Sequence, residues 1–156
     1  MSLSLDEIDL QILSLKQADA SVSNADLARQ IGMAPSAALE RVKKLEQKGV
    51  IQQYTARLSA DLLGLRLLAF IFIKSSEGLG NATVAKQLAK IPDVLELHHI
   101  AGDDCYLVKV RASDPQSLIR LMREKMGKIR GILSTKTTIV LETLKETNQL
   151  PVPGTL

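Results

Sequence analysis

Arg41, Lys43, Lys44 and Lys48 fall in one short window, Ser36 to Gly49, where only Glu40 and Glu46 oppose them. Long cations at this density reach DNA phosphates or guanine edges. Small residues ahead of them, Ser36 and Ala37, allow close approach to a groove. A solvated helix face has the same local composition, and on charge alone that reading is the preferred one. Glu40 carries two readings. Its carboxylate suits a hydrogen bond from cytosine N4, and it also suits an intrahelical pair with Lys44 four residues on, which is favoured.

The other reactive groups sit in the second half. His98 and His99 adjoin in a run that reads as a strand. Successive strand side chains face opposite ways, so the pair does not chelate one metal within a protomer. His98 falls on the side of Glu96 and Ile100 and suits the lining of a pocket or interface better than catalysis. Asp103 and Asp104 have the types of an acid–base pair, but after Gly102 they are more often turn formers. Cys105 has no cationic motif beside it and reads as a small buried hydrophobe. No Walker loop, nucleophile elbow or dinucleotide fingerprint occurs, so no catalytic residue, metal ligand or cofactor is expected.

Composition narrows the classes further. At 156 residues, with 46% apolar and 24% charged, the chain is one globular domain or two small ones. One cysteine and two histidines exclude a disulfide framework and a cysteine/histidine zinc site. Tyr54, Phe70, Phe72 and Tyr106 are the only aromatics, too few for a platform that stacks single-stranded bases. The longest apolar run, Leu67 to Ile73, is far too short to span a membrane. No leader pattern opens the chain, so a cytoplasmic protein is expected. The net charge of +3 divides unevenly: residues 1–64 hold seven cations and eight acids, residues 65–156 hold 13 and nine. A basic average therefore does not locate a nucleic-acid surface.

The elements that must position the cationic window are helices. Leu5, Ile8, Ile12 and Leu15 recur at helical spacing behind the acidic first turn Asp6, Glu7 and Asp9. Ser23 to Asp26 reads as a capping box for a second short helix that stops at Gly32. Pro35 then opens a third, carrying Ala38, Val42 and Leu45 on its core side and ending at Gly49. The tight Gly32-Met33-Ala34 connection is helix-turn-helix spacing. With the core side set, Ser36, Ala37, Glu40, Arg41 and Lys44 point outward. An ordinary three-helix unit with a charged exterior is the competing reading. Val50 to Leu58 is rich in β-formers and reads as a wing or a linking strand.

The second half reads β-α-β-β-α-β. Strands are expected at Leu67 to Ile73, Val94 to Ala101, Cys105 to Ala112 and Ile132 to Leu144. Helices precede Pro92 and follow Asp114-Pro115. Such a sheet has helices on one face only, yet its first strand is apolar on both. A second copy of the sheet is the simplest cover for the open face. The fold expected is α+β: a helix-turn-helix, winged-helix-like domain over residues 1–58, a hinge at 59–64, a ferredoxin-like βαββαβ domain over 65–146 and a tail at 147–156 that extends loosely or reaches a neighbour.

The ordered motifs carry a resemblance. At the amino-terminal end they are Leu5-Asp6-x-x-Asp9-x-x-Ile12-Leu13, Asp26-Leu27-Ala28 and Pro35-Ser36 followed by Arg41-Val42, Leu45-Glu46 and Gly49-Val50-Ile51. Ala101-Gly102-Asp103, Tyr106 to Val110 and Gly131-Ile132 followed by Thr135, Thr137 and Ile139 to Leu141 complete the series. Over nearly its whole length the chain resembles the Lrp/AsnC (leucine-responsive/asparagine-responsive, feast/famine) transcription regulators. The resemblance implies a head that binds double-stranded DNA and an effector-binding assembly domain. It implies homodimers, often four of them in an octamer, no membrane partner, and a small-molecule effector, usually an amino acid, held between dimers near the Gly-Asp loop. Carried over residue by residue, the recognition-helix positions are Ser36, Ala37, Glu40, Arg41 and Lys44, and Lys43 and Lys48 of the same cationic window join them as candidate DNA contacts. Effector contact falls to Gly102, Asp103, Asp104, Thr135 and Thr137, with Asp103 the first choice for an amino group, and His98 joins them as a pocket-lining candidate. Thr135 and Thr137, two apart on one strand face, suit an effector carboxylate, or serve only β-propensity.

A dimer would present two copies of the helix Ser36–Lys48 to successive major grooves, about 34 Å apart. The rival readings are a constitutive or architectural DNA binder without an effector and, from another class, an enzyme on a dimeric ferredoxin-like sheet. The second leaves the helix-turn-helix without a role.

Overall fold

The computed structural model describes residues 4–78 and 81–154, which divide between two compact units, Met1–Arg57 with Lys145–Leu156 and Leu58–Leu144.

The first unit is built on three helices, α1 (Glu7–Ala18), α2 (Asn24–Ile31) and α3 (Pro35–Gln47). Asp6 caps α1 in a reciprocal box: its carboxylate accepts from the Asp9 N–H at 2.8 Å, and the Asp9 carboxylate accepts from the Asp6 N–H at 3.3 Å. The box expected at α2 is only half formed. Ser23 Oγ accepts from the Asp26 N–H at 3.0 Å, but the Asp26 carboxylate takes the Ser23 hydroxyl at 2.7 Å instead of its backbone. Gly32 ends α2 at φ 69°, a left-handed conformation that a side chain would resist. Pro35 starts α3 just beyond it. Ile12, Leu27, Val42 and Leu45 lock the three helices together, with Leu5, Ile8, Leu15, Ile31 and Val50 packed around them.

Val50 to Leu58 forms no strand. Among the described residues the first unit holds no other strand to pair with it, and β-propensity alone satisfies no backbone group. The Tyr54 side chain anchors this stretch: its hydroxyl donates to Glu46 Oε1 at 2.7 Å, and the Lys16 ammonium lies 5.5 Å from the centre of its ring. The last segment does not hang free. The Gln17 amide donates to the Leu150 carbonyl at 2.7 Å and accepts from its N–H at 2.8 Å, imitating one rung of a strand ladder.

The second unit is a four-stranded antiparallel sheet in the order β2-β3-β1-β4, made of β1 (Leu67–Ser75), β2 (Val94–His99), β3 (Tyr106–Ala112) and β4 (Ile132–Ile139). Helices α4 (Thr83–Leu88) and α5 (Pro115–Arg120) cover one face, with Val84, Leu88, Leu118 and Met126 packed on Ala69, Ile71, Ile73, Val108 and Val110. This is the split β-α-β order expected from the sequence. Past Arg120 the chain widens into a π-helical turn, Leu121–Lys125, and then tightens into a 3-10 turn, Met126–Lys128. Strand β4 stops short of Leu144 because its partner β1 begins at Leu67; the last rung is the Val140 N–H to the Leu68 carbonyl at 2.9 Å. Among the described residues of this unit no helix lies on the other face, where Phe70, Phe72 and Leu107 stand half-buried among Lys109, Arg111 and Lys136.

Candidate functional site

Helix α3 sorts its residues by face. Ala38, Val42 and Leu45 are buried, while Ser36, Glu40, Lys43, Lys44 and Lys48 are exposed and Ala37 is half-buried at the start of the helix. Of the outward row expected from the spacing, Ser36, Glu40 and Lys44 are exposed, and Lys43 and Lys48 are exposed beside them. No acidic residue occupies its first turn, so the helix N-terminus keeps its partial positive charge beside Ser36. Glu40 approaches Lys43 at 3.8 Å, one turn on at i+3, rather than Lys44 at i+4. Both side chains of that pair are more than half exposed, and such a pair contributes little to stability.

Arg41 departs from the row. Its Nη1 donates to Asp6 Oδ2 at 2.7 Å and to Asp9 Oδ1 at 2.8 Å, which turns the guanidinium back onto the first turn of α1. The side chain is 30% exposed, against 53% for Lys43. Hydrogen bonds that the guanidinium donates to Asp6 and then to Asp9 raise its pKa above the usual value. The Asp6 carboxyl is held below the usual carboxylate range, first by the Asp9 backbone N–H and then by Arg41. The capping box of α1 thus doubles as a receptor for a cation from α3. Asp6 and Asp9 were legible as helix-start acids; nothing in their spacing signalled Arg41.

The six residues expected to hold an effector separate into three places. Sheet register decides this, because directly paired residues point to the same side. His98 pairs with Leu107, Leu107 with Phe72, and Phe72 with Lys136, so all four share the open face. Thr135 and Thr137 pair with Ile73 and Ile71, whose side chains face the helices. Thr137 Oγ1 donates to Met122 Sδ at 3.4 Å. His98 and the two threonines therefore lie on opposite faces and opposite edges of one sheet.

Gly102, at φ 135°, and Asp103 form the exposed tip of the β2–β3 connection. Asp104 turns toward β4 and comes within 4.0 Å of Lys136 Nζ. The same ammonium lies 4.8 Å from the centre of the Phe72 ring, a cation–π distance. No sequence motif marks Lys136, although its position between Thr135 and Thr137 places it on the face opposite theirs. At the far edge, Glu96 accepts from Lys109 Nζ at 2.9 Å and lies 3.2 Å from His98 Nε2. Lys109 and then His98 lower the Glu96 carboxyl below its ordinary value.

Among the described residues no cluster of three histidine, cysteine or acidic side chains could hold a metal, and no helix is long and apolar enough to cross a membrane. Cys105 is half-buried against Ser75, whose backbone N–H lies 3.5 Å from the sulfur.

Two family models match the chain: a winged helix-turn-helix DNA-binding model over residues 5–52 and an Lrp/AsnC ligand binding domain model over residues 68–150. The chain is 38% identical over 152 residues to the HTH-type transcriptional regulator FL11 of Pyrococcus abyssi, covering 97% of this chain and 99% of the relative. It is 35% identical over 150 residues to the leucine-responsive regulatory protein of Escherichia coli K12, covering 95% and 92%. Its fold is similar to that of transcriptional regulator NMB0573 of Neisseria meningitidis solved with L-methionine, with a TM-score of 0.90 and 28% identity over 98% of this chain and all of that one. The feast or famine regulatory protein Rv3291c of Mycobacterium tuberculosis, complexed with L-methionine, superposes with a TM-score of 0.88 at 29% identity, over 96% of this chain and all of the other.

Proposed function

The chain belongs to the Lrp/AsnC family of transcription regulators, and from that premise we propose that it reads duplex DNA with α3 and adjusts that binding to an amino acid held by its second unit. The observation that carries the reading is the sorting of α3: three buried apolar residues fix the helix, and Ser36, Lys43, Lys44 and Lys48 line its free side. Ser36 and Ala37 are short enough to let the helix enter a major groove, and the lysines reach bases or phosphates from there. Arg41 serves as a positioning residue that holds α3 against α1.

For the effector, the Asp104 carboxylate and the Lys136 ammonium at 4.0 Å offer the two opposite charges that an amino acid zwitterion needs. Gly102 and Asp103 sit beside them on the same connection. His98 and the Thr135/Thr137 pair stand apart from this spot in one protomer, so they join it only if a second copy brings them. The half-buried open face of Phe70, Phe72 and Leu107 suits that second copy, and a homodimer presents two α3 helices to one duplex. L-Methionine in two similar regulators supports an amino acid as the ligand class. A ligand of this kind shifts DNA binding only by its different affinity for two states of the protein. The reading places the protein in the cytoplasm, with no catalytic step.

The test is selection of duplexes from a random pool by the full chain, repeated with each common amino acid. Enrichment of one sequence, shifted by at least one amino acid, supports the whole reading. Enrichment with no response to any amino acid supports the constitutive DNA binder instead.

A further inference from the structure

Five cations, Arg120, Arg123, Lys125, Lys128 and Arg130, lie between residues 120 and 130 with Glu124 as the only acid. All five are exposed, while Leu121, Met126 and Ile129 turn inward between them. The rest of residues 65–156 holds eight cations and eight acids, so this one stretch accounts for the whole net +4 of that half. Lys125 is bonded to Asp93, and Arg120 donates to Ser117 Oγ at 3.1 Å. Among the described residues Arg123, Lys128 and Arg130 have no acidic partner. Lys86 and Lys90 on and just after α4 are exposed in the same helix layer and add to the field.

A solvated protein surface ordinarily mixes both signs, because a single-sign patch repels itself. Here the signs are segregated, and the partner that removes such repulsion is a polyanion. The recognition unit creates the need. Residues 1–64 are net acidic, Arg41 is engaged by Asp6 and Asp9, and Lys43 lies near Glu40. Few cations remain on α3 to hold a duplex by its backbone. The stretch from 120 to 130 runs through the π-helical and 3-10 turns on the helix side of the sheet, so its cations follow one another along one continuous segment.

We propose that the Arg120–Arg130 surface is a second DNA-contacting site, one that takes the phosphate backbone of a duplex without reading its bases. The inference rests on the DNA-binding reading above and extends it to the second unit. Phosphate contact by this surface supplies affinity and salt dependence, and α3 supplies sequence selection.

The test compares the full-length wild type, R123Q/K128Q/R130Q, its charge-conserving control R123K/K128R/R130K, and K44Q/K48Q. Binding to one long duplex is titrated with potassium chloride. The expected result is that the triple glutamine variant lowers the log–log salt slope by about 2.7 per subunit, at about 0.9 per lost phosphate contact. Its preferred sequence stays that of the wild type, and the charge-conserving control keeps the full slope. K44Q/K48Q instead changes the preferred sequence. A wild-type slope in the triple glutamine variant overturns the proposal, including when its native mass changes, which would make the surface a contact between copies. In that case Lys44-dependent binding persists and the functional reading stands. No binding of any duplex by the wild type overturns the functional reading itself.

Discussion

Arg41 on α3 donates to Asp9 on α1 across 2.8 Å, and the same nitrogen also reaches Asp6, the residue that caps α1. One guanidinium therefore joins the start of the first helix to the middle of the third. Removing it leaves two neighbouring carboxylates without their cation. R41Q is expected to lower the thermal midpoint of the first unit, and D9N to lower it non-additively with R41Q because the two share one contact. In DNA binding R41Q should weaken all sequences by a similar factor, since it loosens the helix rather than a base contact. Relaxed preference at a single base pair would assign Arg41 to the bases instead.

Acid should act through the same cap. The Asp6 carboxyl titrates below its unfolded value of 3.8 because the Asp9 N–H and Arg41 favour the charged form. The unfolded chain then binds the extra proton, so the stability that Asp6 contributes is present above about pH 4 and is lost as the pH falls through the folded value. D6N can still cap the helix but has no charge to lose. Its unfolding midpoint, followed by circular dichroism, should fall less steeply than the wild type's below about pH 4.

Gly131 is a sharp probe of the second unit. It sits at φ 102°, and a Cβ there would lie 2.9 Å from Val84 Cγ2 in the core. Its carbonyl also accepts the Ser76 N–H at 2.8 Å. G131A combines strained backbone with overpacking and should cost about 1–3 kcal/mol in urea denaturation.

For the effector, D104N removes the carboxylate beside Lys136 while preserving its shape. Thermal shift against a panel of amino acids should show a response in the wild type that D104N loses, and K136M should lose it too. An undiminished shift in both variants would move the site away from this pair.

Much of this architecture was readable from residue spacing. Gly32 followed closely by Pro35 marked the helix-turn-helix, and Asp114-Pro115 marked the start of α5. These are local rules, in which one residue's φ or capping oxygen settles a boundary. What escaped depended on partners distant in sequence. Val50 to Leu58 has strand composition but, among the described residues of the first unit, no strand beside it, and Gln17 meets Leu150 across most of the chain. Arg41 shares its helix with outward lysines, and only the acids of α1 turn it inward. His98 and Thr137 look like members of one site until the register puts them on opposite faces. Lys136 was hidden by the threonines on either side, although strand alternation alone assigns it the other face.

The central claim is that α3 reads DNA from its exposed side, and duplex selection with the wild type and K44Q tests it most directly. The wild type should enrich one motif, and K44Q should relax it at a defined position or weaken binding with a salt slope about 0.9 smaller per subunit. Identical motifs, affinities and salt slopes for the two proteins would contradict it.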